Sequence, residues 1–183
     1  CLLSRGLGDV YKRQNQYQML KTNYKNFLIN LGIVIIIFLI DRISKVYVLN
    51  LAEQGNGLDI YITNYLNLYL IWNKGIAFGL FSIDSNYIYN AITILIFLVI
   101  LIIIGMIIRS QGFKRYLLLA ILGGSLGNVF DRIYYTAVPD FIDFHINEFH
   151  WFVFNIADIF ISLGVIGLII VEIIYSIKEN EKN

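Results

Sequence analysis

Four apolar stretches, each about as long as a bilayer is thick, decide what this chain can fold into. A hydrocarbon core of about 30 Å needs about 20 apolar residues in a helix. Four segments qualify: Phe27 to about Val48, Tyr87 to Ile108, Tyr116 to about Tyr135, and Phe152 to about Ile177. The second carries no charge at all. Hydrophobic residues make up 58% of the chain, against about 45–50% in a soluble domain. The fold class expected is therefore an all-α membrane protein of four transmembrane helices. A net charge of +1 argues for no nucleic-acid partner. The single cysteine, Cys1, permits no internal disulfide.

Residues 1–18 stand apart from this pattern. They are polar, lack the apolar core of a signal peptide, and are followed by Met19-Leu20-Lys21, which reads as a natural start. We expect them to be a non-native leader, with one membrane domain over residues 19–183. Cys1 invites comparison with a lipid-bearing N-terminal cysteine, but the missing apolar segment speaks against it. Gly6-Leu7-Gly8-Asp9 matches the GxGD motif of presenilin-type proteases, where it lies inside a membrane helix. Here its neighbours are Arg5, Lys12 and Arg13, so the match is a coincidence.

Charge sets the orientation, because cytoplasmic loops carry the excess of Lys and Arg. From Met19 onward, one side holds Lys21, Lys25, Arg109, Lys114, Arg115, Lys178 and Lys182. The other holds Arg42, Lys45, Lys74 and Arg132. Seven against four predicts both termini in the cytoplasm. The acids Asp41, Glu53, Asp59, Asp84, Asp131, Asp140, Asp143, Glu148 and Asp158 then fall on the outer side. The outer segment of about 50–86 is more than a connector. Leu58 to Asn73 alternates in part and is rich in Tyr and Ile, which predicts two or more short strands on the membrane surface. Tyr61, Tyr65, Tyr69 and Trp72 suit the headgroup zone.

Two polar clusters interrupt the apolar runs near the C-terminal end. One is Gly123-Gly124-Ser125-Leu126-Gly127-Asn128-Val129-Phe130-Asp131-Arg132, followed by Val138-Pro139-Asp140-Phe141; the other is Phe154-Asn155-Ile156-Ala157-Asp158. A carboxylate at the bilayer centre costs roughly 2.5–3.5 kcal/mol on insertion scales, and less near the interface. Several aspartates at the ends of apolar spans therefore suggest use. Two of them, brought together from different helices, would form an aspartic-protease-like dyad. Asn128 and Asp131 share a helix face beside Arg132, and Asn155 with Asp158 repeats the spacing. Gly123 and Gly127 form a small-xxx-small pair that lets two helices approach closely, as such a dyad would need.

Asp131, Asp140 and Asp143 compete to partner Asp158. Asp131 has Arg132 beside it and reads as an ion-paired structural acid, and Asp143 reads as a solvated loop acid. Asp140, after the stiff Pro139 and between Val138 and Phe141, sits where desolvation would raise a carboxyl pKa. Two carboxylates sharing a site cannot both ionise easily. One can then deprotonate water while the other polarises a carbonyl. Asp140 with Asp158 is the pair the sequence favours. Asp41 and Lys45, spaced i, i+4, suit an ion pair capping the first span, and Asn73-Lys74-Gly75-Ile76-Ala77-Phe78 suits a turn after a strand. His145, His150 and Glu148 invite a metal reading, but the i, i+5 spacing and lack of a third strong ligand argue against it.

These blocks, in this order, resemble the lipoprotein signal peptidases (signal peptidase II) of bacteria over about Met19 to Ile177. Asp41-Arg42-Ile43-Ser44-Lys45, Asn73 to Phe78, Gly123 to Arg132, Val138 to Phe141 and Phe154 to Asp158 carry the resemblance. It implies a four-span aspartic peptidase of the inner membrane, with a small extracytoplasmic β-cradle between the first two helices. Asp140 and Asp158 fall on the family's catalytic positions. Asp41, Lys45, Asn73, Gly75, Asn128, Asp131, Arg132, Asn155 and Ala157 fall on its supporting or substrate-binding positions. Arg42 stands where Gln is common and Ile159 where Ser is common. The implied substrates are prolipoproteins whose lipobox Cys already bears diacylglycerol, cut just before that Cys at the outer leaflet. Membrane lipids are the other implied partners, a monomer is expected, and no metal or organic cofactor is implied. The rival from another class is a small proton-coupled carrier or channel. It leaves unexplained the strand-like outer segment and the gathering of acids at one interface.

Overall fold

The computed structural model describes residues 2–55, 57–75, 86–146 and 149–180, with 2–23, 86, 88, 150 and 151 described by backbone alone. Eight elements follow in order: α1 (Leu2–Gln54), β1 (Asp59–Thr63), β2 (Leu66–Asn73), α2 (Asn86–Arg109), α3 (Gly112–Tyr135), β3 (Val138–Ile146), β4 (Phe149–Phe154) and α4 (Ile156–Asn180). Four stretches are long and apolar enough to cross a membrane: Tyr24–Gln54, Tyr89–Arg109, Gly112–Tyr135 and Ile156–Asn180. Their exposed faces are rich in Ile, Leu, Val and Phe, as lipid contact requires. The α1 backbone is helical without a break from Leu2.

The β-structure is larger than expected. The outer segment supplies β1 and β2, but β3 and β4 join them from the connection between α3 and α4. The four strands form one antiparallel sheet in the order β1-β2-β3-β4. Residues 149–154, read from sequence as the start of the fourth span and its approach, are a strand, and α4 begins only at Ile156. Phe149 to Phe154 is an aromatic run with a β-branched residue, which suits a half-buried pleated surface, and its apolar character merges with that of the helix behind it. The sheet packs on the end of α1 through Val48, Leu58 and Phe141, with Leu51, Leu68, Leu70 and Ile142 around them. Tyr61, Tyr65, Tyr69 and Trp72 are exposed.

Strand register fixes where Asp140 lies. Within β3, Ile142 to Ile146 pair with β4, whereas Val138 to Asp140 pair only with β2. Pro139 is tolerated because one edge of β3 is free there. Ile142 pairs with Phe154, so Asp140, two residues back, lies where β4 leaves the sheet and becomes α4. The expected dyad of two helices is therefore one strand residue and one helix residue.

The glycines of α3 also act differently from the expectation. A Cβ on Gly123 would lie 2.8 Å from Ile37 Cβ, and one on Gly127 would lie 2.4 Å from Asp41 Oδ2. Both glycines thus face α1. The residue that admits α4 is Gly124, where a Cβ would meet the Ala157 carbonyl oxygen at 2.6 Å. Gly164 of α4 likewise clears Ile121 of α3.

Candidate active site

The site is assembled at the first turn of α4. Asn155 caps this helix: its Oδ1 accepts from the Asp158 N–H at 3.1 Å, while Asp158 Oδ2 accepts from the Asn155 N–H at 3.2 Å. This reciprocal box satisfies two otherwise orphaned donors and pins the Asp158 side chain. The other oxygen, Oδ1, accepts from Asn128 Nδ2 at 2.8 Å. Because Asn155 Oδ1 is occupied by a backbone N–H, its Nδ2 must point the other way, and it donates to Asp140 Oδ1 at 2.6 Å. Asn73 repeats the logic. Its Oδ1 accepts from the Gly75 N–H at 2.8 Å, so its Nδ2 donates to Asp140 Oδ2 at 2.9 Å. Asn155 is thus bonded to both carboxyl groups.

Asp140 is 2% exposed and Asp158 7%. Burial, and then the charge of Asp158, push the Asp140 carboxyl up to about 7, against the opposing effect of the Asn73 and Asn155 amides.

Behind this pair lies a second buried cluster. Lys45 Nζ donates to Asp41 Oδ2 at 2.8 Å, Asn128 Oδ1 at 2.9 Å and Asp131 Oδ2 at 2.6 Å, which uses all three ammonium donors. Asp41 Oδ1 accepts from the Ala157 N–H at 3.0 Å, near the positive end of α4. Arg42 pairs with Asp131 Oδ1 and lies 4.9 Å from the Phe130 ring centroid. Two acids and two bases therefore balance. Lys45 also orients the Asn128 amide, so that its nitrogen faces Asp158.

Two expectations about acids need correction. Asp131 is ion-paired, but its partners are Lys45 and Arg42 from α1. Arg132 points away from it and donates to the Gly75 carbonyl, because successive helix residues do not share a face. Asp143 is not a solvated loop acid. It lies within β3, is 1% exposed, and has His145 Nδ1 at 3.6 Å from its Oδ2. The Asp41–Lys45 pair is present, but it is buried at the centre of the cluster rather than at an exposed helix end. His145 and His150 are register partners across β3 and β4; Glu148 and the His150 side chain lie outside the described residues. So do Ile76, Ala77 and Phe78 of the Asn73 block, and Asp84. Arg42, read from the sequence as an outer-side base and as a departure from the family's Gln, is a full member of the cluster; an i, i+1 neighbour of Asp41 carries no pattern that would reveal this.

A cavity of about 490 Å³ opens over the pair. Asn73, Asn128, Asp140, Asn155 and Asp158 form its polar end, with Arg132 beside them. Ile92, Leu95, Ile96 and Val99 of α2 face Ile161, Val165 and Ile166 of α4 along its apolar walls. Arg132 is held in place by Tyr89, whose hydroxyl donates to the Arg132 carbonyl at 3.0 Å.

Two buried carboxyl groups braced by asparagine amides suit aspartic proteolysis, and the sequence model of signal peptidase (SPase) II matches residues 33–174. The chain belongs to the signal peptidase II family. It is 58% identical over 166 residues to a lipoprotein signal peptidase of Pelagibacter ubique (strain HTCC1062), covering 90% of this chain and all of that protein. A lipoprotein signal peptidase of Anaplasma phagocytophilum (strain HZ) is 40% identical over 148 residues, or 78% of this chain and 92% of the relative. Among solved structures, a bacterial membrane enzyme superposes with a TM-score of 0.61 at 24% identity, over 82% of this chain and 90% of its own. That likeness concerns the fold. As a signal peptidase II member the chain is a peptide-bond hydrolase of aspartic type. It is a multi-pass protein of the bacterial inner membrane.

Proposed function

We propose that this chain removes signal peptides from diacylglyceryl-modified prolipoproteins, cutting just before the lipidated Cys with Asp140 and Asp158. One observation carries the reading: two buried carboxyl groups, joined through Asn155, stand at the polar end of an otherwise apolar cavity walled by two of the candidate membrane helices. At neutral pH the pair shares one proton. Burial and the neighbouring carboxylate raise the Asp140 carboxyl to about 7, which suits Asp140 to the role of acid and leaves Asp158 that of base. Asp158 takes a proton from water, whose oxygen attacks the scissile carbonyl carbon, and Asp140 donates to the carbonyl oxygen. Collapse of the tetrahedral adduct passes a proton to the amide nitrogen, breaks the C–N bond and returns the pair to its starting state.

The cavity's walls support a lipid-anchored substrate. Its sides are apolar residues of α2 and α4, two of the helices long and apolar enough to cross a membrane, a setting suited to a substrate held in the bilayer by its acyl chains. Among the described residues, Arg132 Nε and Nη1 are buried without a hydrogen-bond partner, and they are suited to substrate carbonyl groups. The orientation follows the same logic. Of the four basic residues on the sheet side, Arg42, Lys45 and Arg132 are committed to buried contacts. The positive-inside contrast is then sharper than the sequence count, which supports an outer-leaflet site. In-vitro cleavage of a diacylglyceryl prolipoprotein tests the reading. No product with the wild-type protein, in a lipid mixture where it is folded, would sink it and leave the carrier alternative.

A further inference from the structure

A second cavity, of about 620 Å³, lies at the other end of the bundle. Its lining comes from α1 (Asn26, Asn30, Val34), α2 (Ile104, Ile108) and α3 (Arg115 to Leu126). The polar groups gather at one depth. Asn30 lies about nine residues, or roughly 14 Å, from the middle of its span, near the edge of a core about 30 Å thick. Arg115 is in the first turn of α3. Asn26 and Asn30 are one helical turn apart and line the same cavity. Arg115 spends its Nε on the Ser110 carbonyl at 2.7 Å, and among the described residues its two terminal nitrogens have no hydrogen-bond partner. From Arg115 to Leu126 the cavity follows α3 for roughly 16 Å, which is one leaflet's depth, and past the polar mouth its lining is apolar.

We propose that this cavity binds one anionic glycerophospholipid of the leaflet opposite the sheet, with its phosphate at Arg115 and the Asn30 amide and an acyl chain along Leu119, Leu122 and Leu126. Charge complementarity selects the headgroup. Lys25 and Arg109 flank the lining residues Asn26 and Ile108 in sequence, and the nearby acid Glu172 is held by Lys114 at 2.8 Å. A carboxylate or amide partner for Arg115 is replaced by lipid phosphate, which accepts guanidinium hydrogen bonds in pairs. The site stands apart from Asp140 and Asp158 and does not depend on their role.

The test titrates the full chain, in a neutral detergent, with phosphatidylglycerol, phosphatidylcholine or glycerol phosphate, following Tm and native mass spectrometry. Phosphatidylglycerol should raise Tm and remain bound at one molecule per chain, whereas the other two should not. Arg115→Gln should weaken the apparent affinity roughly tenfold, as the loss of a charge-assisted bond does. Leu122→Trp, which fills the apolar end, should abolish the shift if Arg115→Gln fails to fold. Equal response to phosphatidylcholine would show hydrophobic filling only, and response to glycerol phosphate a headgroup site without a tail. Either result, or an unchanged phosphatidylglycerol shift in both variants, overturns the proposal.

Discussion

Asn155 accepts from the Asp158 backbone and donates to the Asp140 carboxylate, so each carboxyl group depends on the other's support. Asp140→Asn and Asp158→Asn should each abolish prolipoprotein cleavage, and the double variant should be barely worse than either alone. Single-turnover assays of folded, inserted protein check this; residual turnover in Asp140→Asn with none in Asp131→Asn would move the role to Asp131. The Asp140 variant will also lose some stability, since its new amide nitrogen must face Asn73 Nδ2 or Asn155 Nδ2, both donors. The proton on Asp140 gives a pH signature. Its carboxyl is raised from 3.8 to about 7, so kcat/KM should fall as pH rises through about 7. The folded state holds this proton more tightly than the unfolded chain. Its stability contribution is therefore complete below about 4, declines as pH rises, and is gone above about 7. Asp143→Asn, which the sequence alone marks as harmless, should lower Tm by an amount equivalent to about 1–3 kcal/mol, while leaving turnover per folded molecule intact.

At the level of elements, small residues decide which helices meet. Gly127→Ala would drive a methyl group into Asp41, and Gly124→Ala would drive one into the Ala157 carbonyl. Neither contact is the tip of a flexible chain free to move, because Asp41 is held by Lys45 and Ala157 is backbone. Both variants should lose folded protein, measured as monodisperse yield in detergent. Thr136 offers the opposite case. It ends α3 with φ of 58°, a left-handed conformation that costs a side-chain-bearing residue roughly 1–2 kcal/mol. Thr136→Gly should therefore raise Tm with cleavage unchanged. The helices were legible because an uninterrupted apolar run has few other uses. The two later strands were not, since Phe149 to Phe154 runs into α4 with only Asn155 between them. Without β3 and β4, the burial of Asp143 and the strand position of Asp140 were out of reach. That Asp140 and Asp158 come together, both bonded to Asn155, was nonetheless readable, from Pro139, the apolar flanks of Asp140 and the repeated Asn-x-x-Asp spacing. The partners of Asp131 were not, because they lie on a helix far away in sequence.

For the whole molecule, the orientation and the leader each have a direct test. A reporter after Asn183 or within the Arg109–Arg115 connection should read cytoplasm, and one within 50–60 should read the outside. An outside signal from the Arg109–Arg115 connection would invert the assignment. A chain beginning at Met19 should insert and cleave as well as the full one, even though the α1 backbone is helical from Leu2; loss of both would show that residues 1–18 belong to the fold. The passage between α2 and α4 has a pharmacological corollary. A compound that fills this apolar cavity and reaches it from the bilayer should act according to its mole fraction in the lipid rather than its molarity in the buffer. Dose–response curves should shift rightward in proportion to added vesicle mass, and polar mimics of a peptide transition state should be outperformed by greasier ones that bind the carboxyl groups less tightly.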